Sequence, residues 1–254
     1  FESGSLNNPN ESNNVSITGP NSGTLDGTAF TNISDIDLAG GDDNATISAT
    51  GSLSGTLKGG EGEDDLFLNN ADNVINIDQT GAGNLISNFD DNNYGNVSPI
   101  QTDFDGFEII RLDDGSDIAN LTFDASTEKA TKQPLRIDGG NGLDSINLTL
   151  NSNEHQYLIT TNQLDNLKAY LESPTGNEVT FNFLQTSLTL EGFESGSLSN
   201  ENNGSAAFSI NGTAEVGNTL SISEDAADPD GTGTLSYSWQ TSSDGNTWNE
   251  VSTA

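Results

Sequence analysis

From residue 15 onward the chain is written in short bursts in which apolar and polar positions alternate. VSI, TLDGTAF, ISDIDL, ATIS, SLSGTLKG and DDLFL follow one another, with Gly or Asn between most of them. A period of two with β-branched residues predicts strands, and the Gly, Asn and Asp between them predict tight corners. The pattern then recurs. NVINIDQTGAGNLIS parallels NVSITGPNSGTLDG, FDGFEIIRLDDGSDIANLTF parallels FTNISDIDLAGGDDNATISA, and QPLRIDGGNGLDSINLTL parallels GSLSGTLKGGEGEDDLFL. A third, weaker pass runs from HQYLITTN to SLTLEGFESGSL. The sub-repeats are thus 15–72, 73–152 and 153–198, with 1–14 a linker or repeat edge. A longer echo overlies them: FESGSL occurs at Phe1 and again at Phe193, 192 positions apart, in the slot that FTNISDIDL and FEIIRL fill elsewhere.

Short strands in series with glycine corners predict an all-β fold. A single turn of such a chain cannot bury its apolar side alone, so the turns stack. The expected architecture is a parallel β-helix or β-roll-like solenoid over 15–198, the alternative being an irregular β-sandwich with decayed repeats. One segment departs from the period of two. Leu164, Leu167, Tyr170 and Leu171 follow helical spacing, with Thr161 or Asn162 placed to cap and Pro174 just beyond, which predicts a short helix over 162–172. Residues 199–206 are a linker, and from 207 the text changes to strand-like segments around an acidic, Gly-rich loop. Leu235, Tyr237 and Trp239 alternate and share one face, where the Trp is expected to be core.

Composition narrows the function. Asp plus Glu number 39 against 6 Lys plus Arg, a net charge of −33. Such a surface repels phosphate backbones and anionic lipid, so nucleic-acid binding and membrane insertion are not expected. Self-repulsion also opposes compaction, and divalent cations relieve it. The absence of Cys removes disulfides, thiolate metal sites and cysteine nucleophiles. The chain has no Met, no signal peptide and no apolar run of membrane-spanning length, and reads as an internal section of a larger protein.

The candidate chemistry lies at the corners. GGEGEDDLF supplies Gly59, Gly60, Gly62, Asp64 and Asp65; GGNGLDSIN supplies Gly139, Gly140, Asn141, Gly142 and Asp144; and GGDDNATIS, a decayed copy, supplies Asp42 and Asp43. Glycines with φ > 0 expose carbonyls and Asp adds charge, an oxygen-only donor set that favours Ca²⁺ over softer metals. The motif G-G-x-G-x-D-x-apolar resembles the calcium-binding nonapeptides of RTX proteins. The resemblance implies Ca²⁺ held by these residues, between turns stacked on one another. The decayed copy lies 19 residues before Gly59, close to one β-roll turn, and DDGSD at 113–117 is the neighbour available to the Gly139 copy. The alternative is that the motifs are corners alone.

FTNISDIDLAGG and GSLSGTLKGG also resemble repeats of giant haemagglutinin/adhesin-type bacterial surface proteins. Residues 207–254 resemble the opening of their Ig-like modules, through Gly212, Gly217, Leu220, Asp228, Asp230, Gly231, Gly233, Tyr237, Trp239 and Gln240. These resemblances imply a non-enzymatic adhesive or structural section of a very large secreted, surface-attached protein. Its partners are neighbouring repeats, other copies in a filament, or cell-surface glycans. The Ig-like module is cut short, so its remaining strands come from further sequence or from another copy. A self-assembling filament or matrix subunit is the alternative in the same class, and a β-helix polysaccharide-degrading enzyme the rival from another. The single histidine, His155, has no catalytic company, and only Arg111 and Arg136 lie near acidic corners.

Overall fold

A computed structural model describes residues 4–7, 12–87, 100–123, 134–200, 206–213, 215, 217–227 and 237–251. The chain divides into two compact units, Phe1–Glu201 and Asn202–Ala254.

In the first unit β1 (Gly4–Asn7) precedes β2 (Asn14–Gly19), β3 (Ser22–Leu25), β4 (Thr28–Thr31) and β5 (Ile33–Asp37). The segment TLDGTAF, expected as one strand, is a hairpin. Asp26 and Gly27 both take positive φ, as a two-residue β-turn requires, and β3 folds back antiparallel on β4. The chain then alternates through β6 (Asn44–Ile47), β7 (Thr56–Lys58), β8 (Asp65–Phe67) and β9 (Asn73–Asp78). Next come β10 (Gly83–Ser87), β11 (Ile100–Asp105), β12 (Ile109–Arg111), the two-residue β13 (Asp114–Gly115) and β14 (Ile118–Thr122). β15 (Leu135–Asp138), the two-residue β16 (Asn141–Gly142) and β17 (Ser145–Leu150) lead into α1 (Ser152–Thr160) and α2 (Leu164–Glu172). β18 (Val179–Asn182), β19 (Ser187–Glu191) and β20 (Ser195–Asn200) complete the unit.

Among the described residues two nine-stranded sheets result, ordered β1-β5-β7-β11-β10-β9-β14-β17-β20 and β18-β19-β15-β12-β8-β6-β2-β3-β4. Successive strands pass from one sheet to the other, so strands adjacent within a sheet are mostly parallel. Antiparallel pairs occur where the chain folds back directly, at β9–β10–β11 in the first sheet and at both ends of the second. Register stacks like on like. Val15, Ala45, Leu66, Ile110, Ile137 and Leu190 lie in one column down the second sheet, and all six are buried. Ile77, Leu121, Leu148 and the half-buried Leu198 form a column in the first. Each fully buried aliphatic side chain contributes about 1.5–3 kcal/mol, and each depends on the rungs above and below.

The third pass corrects two expectations. HQYLITTN does not begin a strand; it lies in and just after α1. Asn151 caps that helix, its side chain accepting from the Glu154 amide at 3.0 Å while Nδ2 donates to the Phe123 carbonyl at 2.9 Å. Leu158 is buried beneath it, and helix geometry prevails over the short alternating pattern. Glu154 is also buried, its carboxylate accepting from the amides of Leu184 and Gln185. α2 matches the expected helix, with Leu164, Leu167, Tyr170 and Leu171 buried, though Gln163 occupies the N-cap and makes no side-chain cap bond. Asn151→Ala removes a cap and a partner of a buried carbonyl, and should cost about 1–2 kcal/mol in urea unfolding.

The second unit contains β21 (Ala207–Asn211) paired antiparallel with β22 (Ser221–Ala226), and β23 (Trp239–Thr241) paired with β24 (Asn249–Val251). Trp239, expected as core, is only half-buried, and no described residue of this unit is fully buried. Ile210, Tyr237 and Trp248 are largely exposed. Phe208 and Tyr237 pack edge to face, ring centroids 6.1 Å apart, but a two-stranded sheet by itself buries little apolar surface. Asp228, Asp230, Gly231, Gly233 and Leu235 lie outside the described residues.

Candidate cation-binding corners

At the corners where the chain enters a new strand, polar side chains stack into two ladders. In the first, Asn13 donates from its amide and its Nδ2 to Oδ1 of Asp43, at 2.6 and 3.0 Å. The Asp43 amide donates to Oδ1 of Asp64 at 2.9 Å, and the Asp64 amide to Oε2 of Glu108 at 3.2 Å. In the second, Asn73 donates in the same two ways to Oδ1 of Asp117, at 2.7 and 3.0 Å. The Asp117 amide then donates to Oδ1 of Asp144, and the Asp144 amide to Oε2 of Glu194, both at 2.8 Å. Both ladders therefore read Asn, Asp, Asp, Glu. Both end in a Gly-Phe-Glu corner whose Phe, 107 or 193, is wholly buried and whose Gly, 106 or 192, has φ +73°.

Asp43, Asp64, Asp117 and Asp144 are each at most 1% exposed. One oxygen of each is committed to the ladder; the other, Oδ2, is buried and has no hydrogen-bond partner. Burial pushes Asp64 and Asp144 up to about 6 and Asp117 up to about 7, and the accepted backbone hydrogen bonds offset only part of that rise. Neighbouring carboxylates push the same way: Asp43, Glu108 and Asp42 on Asp64, Asp144 and Asp72 on Asp117, and Glu194, Asp138 and Asp72 on Asp144. Unpaired buried charge of this kind is costly until a proton or a cation neutralises it.

The corner glycines serve close approach. The 40–48 copy stacks on the 59–67 copy with an offset of 21 residues rather than 19: Asn44 lies beside Asp65, and Gly40 bridges to Glu61. The Gly41 amide donates to the Glu61 carbonyl and the Glu61 amide to the Ala39 carbonyl. The Gly139 copy stacks on DDGSD in the same manner, Asp114 beside Asn141 and Gly115 beside Gly142. A Cβ on Gly62 would lie 1.9 Å from the Gly41 oxygen, and one on Gly142 1.5 Å from the Gly115 oxygen. Gly59 and Gly139 donate to the carbonyls of Asp105 and Glu191, Gly60 meets Ala39, and Gly140 accepts no bulk against Asp113.

Of the residues singled out in the sequence, Asp43, Asp64 and Asp144 point into the ladders. Asp42 and Asp65 do not: Asp42 accepts from the Glu63 amide, and Asp65 lies 3.3 Å from Arg111. Asn141 is exposed and donates to Asp114. Among the described residues no three acidic, His or Cys side chains converge on one point. Asn13, Asn73, Glu108 and Glu194 were missed and Asp117 was noted only as part of DDGSD, yet they carry a signal. Each stands two before an inward position of a strand, as in Glu108-x-Ile110-x-Leu112 and Asp117-x-Ala119-x-Leu121.

Both arginines are engaged. Arg111 lies between Asp65 and Asp138, 3.3 and 3.6 Å away, and over the Phe67 ring, while Arg136 pairs with Glu178 and Glu191. His155 lies half-buried on α1. A cleft of about 400 Å³ lined by residues including Tyr157, Gln163, Asn182 and Phe183 contains none of the three. No helix among the described residues is long and apolar enough to cross a membrane. Compared with family models, with curated proteins and with solved structures, the chain matches none.

Proposed function

We propose that the first unit is a calcium-stiffened parallel β-solenoid. It would serve as a non-enzymatic structural and adhesive section of a very large repetitive protein on the outside of a bacterial cell. The observation that carries this reading is the pair of ladders, in which four fully buried aspartates each keep one oxygen without a partner. The alternation of strands between two sheets and the six-deep apolar column support the solenoid. The pairing of Arg111 and Arg136 with acidic neighbours favours the structural reading over the enzyme.

The donors fit a hard cation. Adjacent strands lie about 4.8 Å apart, about twice a Ca–O bond of roughly 2.4 Å, so the free oxygens of successive rungs suit one ion between them. Asp43 with Asp64, and Asp117 with Asp144, are the pairs that would hold it. Bound there, Ca²⁺ neutralises the buried charge and ties one rung to the next. The test is thermal unfolding in Ca²⁺, in Mg²⁺ and in chelator. At a hundredfold excess over Kd, each site adds about 2.7 kcal/mol. A unit of this size converts that into a rise of roughly 5–10 °C in Tm for Ca²⁺ over chelator. An unchanged Tm would overturn the calcium reading.

A further inference from the structure

The six-residue echo lies at the two ends of one sheet. β1 carries GSL from the first FESGSL and is the outermost strand beside β5; β20 carries GSL from the second and is the outermost strand beside β17. Both run parallel to the neighbours they pair with, and the intervening sheet reverses twice, at β10, so the two strands point the same way. β1 is paired on the edge that β20 leaves open, and β20 on the edge that β1 leaves open. We propose that β1 and β20 are the two halves of one joint, and that a second copy of this chain docks head to tail by seating its β20 in the place of β1 on β5.

The register for this exchange is already present. Gly4 lies beside Ile33, Ser5 beside Asp35 and Leu6 beside Ile36. Gly196, Ser197 and Leu198 are the same residues in the same order, so Leu198 falls opposite the buried Ile36 and Ser197 opposite the exposed Asp35. A Cβ on Gly196 would meet Leu171 of α2 and Ile146, so α2 packs on the inward side of β20. The outward serines bond back along the sheet, Ser195 to Ser145 and Ser197 to Asn147. The second sheet offers no such match: it ends in antiparallel strands of unrelated sequence, TAFT in β4 and VTFN in β18. An interface joining one end to the other repeats without closing, and its product is a filament.

This inference rests on strand order and register and not on calcium, and the experiment keeps the two apart. The chain lacks cysteine, so Asp35→Cys with Ser197→Cys places two thiols opposite each other only across the joint. Both positions are exposed, and folding is checked by circular dichroism. Oxidation at high protein concentration should give a reducible series of dimers, trimers and longer species, at least tenfold more than either single variant, which cannot extend beyond a dimer. Ser5→Cys with Asp35→Cys should close within one chain. Sedimentation of the unsubstituted chain should show mass rising with concentration, and an excess of the peptide FESGSLSN should reverse it. Runs in Ca²⁺ and in chelator separate the readings: a series in either supports the joint even if Tm ignores calcium. Cross-linking no greater than in the single variants, together with a monomer at every concentration, would overturn it even if Tm follows calcium.

Discussion

Stripped of divalent cations, the folded chain should become more stable as the pH falls from 8 to 5, against the usual direction of acid denaturation. The folded carboxyls of Asp64 and Asp144 titrate near 6 and that of Asp117 near 7, all above the ordinary carboxylate range. Between about pH 4 and 7 the folded chain therefore holds protons that the unfolded chain has released, and lowering the pH favours the folded state. The contribution is complete at the acid end of that window and lost as the pH rises through 6 and 7. A two-unit shift corresponds to roughly 3 kcal/mol for one group, and the coupling of neighbouring rungs makes their sum smaller than additive. Calorimetry in chelator should show Tm rising by about 5–10 °C from pH 8 to pH 5.

Asp117→Asn isolates the cause. The ladders already contain asparagine at Asn13 and Asn73, where Nδ2 donates to the next carboxylate. An Asn at 117 can make the same bond to Asp144 while removing the charge. In chelator at pH 8 the variant should melt several degrees above the parent, its pH profile should flatten, and its response to Ca²⁺ should shrink. A parent profile that falls toward acid, or a variant less stable than the parent in chelator, would show that these carboxylates are neither strained nor waiting for a cation.

Much of this was legible in the letters, and the reasons for the gaps are physical. The period of two located most strands of the first unit because one face of each packs inward, as Val15 and Ile17 or Ile146 and Leu148 show. It did not reveal that TLDGTAF folds back, although Asp-Gly is the turn signal. Nor did it separate α1 from a strand, because a nine-residue helix with Leu158 as its one buried apolar residue leaves little periodic trace. Asn-x-x-Glu at 151–154 was the available cue. At the corners, the double glycines drew attention to Asp64 and Asp144 and to DDGSD, which contains Asp117, but the ladder positions Glu108 and Glu194 stand in text of different lengths and were passed over. Their common feature is the distance to the strand that follows, not to the glycines that precede. The repeat in FESGSL was plain at once, yet its meaning required the sheet order, since only topology puts the two copies at opposite ends of one sheet.

Gly62→Ala should be among the most damaging single substitutions in the first unit. Gly62 has φ +147°, a conformation that L side chains rarely adopt, and an added Cβ would stand 1.9 Å from the Gly41 oxygen and 2.7 Å from its carbon. Relief requires the 40–43 corner to move away from the 59–64 corner, which stretches the Gly41–Glu61 and Glu63–Asp42 bonds and the Asp43–Asp64 rung of the ladder. Gly176 is the control, with φ +69° but nothing within 4 Å of an added Cβ. Gly176→Ala should cost about 1 kcal/mol, the strain of the backbone alone. Gly62→Ala should cost at least about 3–4 kcal/mol, because overpacking is added to the strain. Tm should fall by roughly 10 °C, and much of the stabilisation by Ca²⁺ should go with it, since the rungs that would share the ion are forced apart. If the two variants melt within a degree or two of each other, the corners do not bear on one another, and the tight stacking on which both the ladders and the cation site depend is absent in solution.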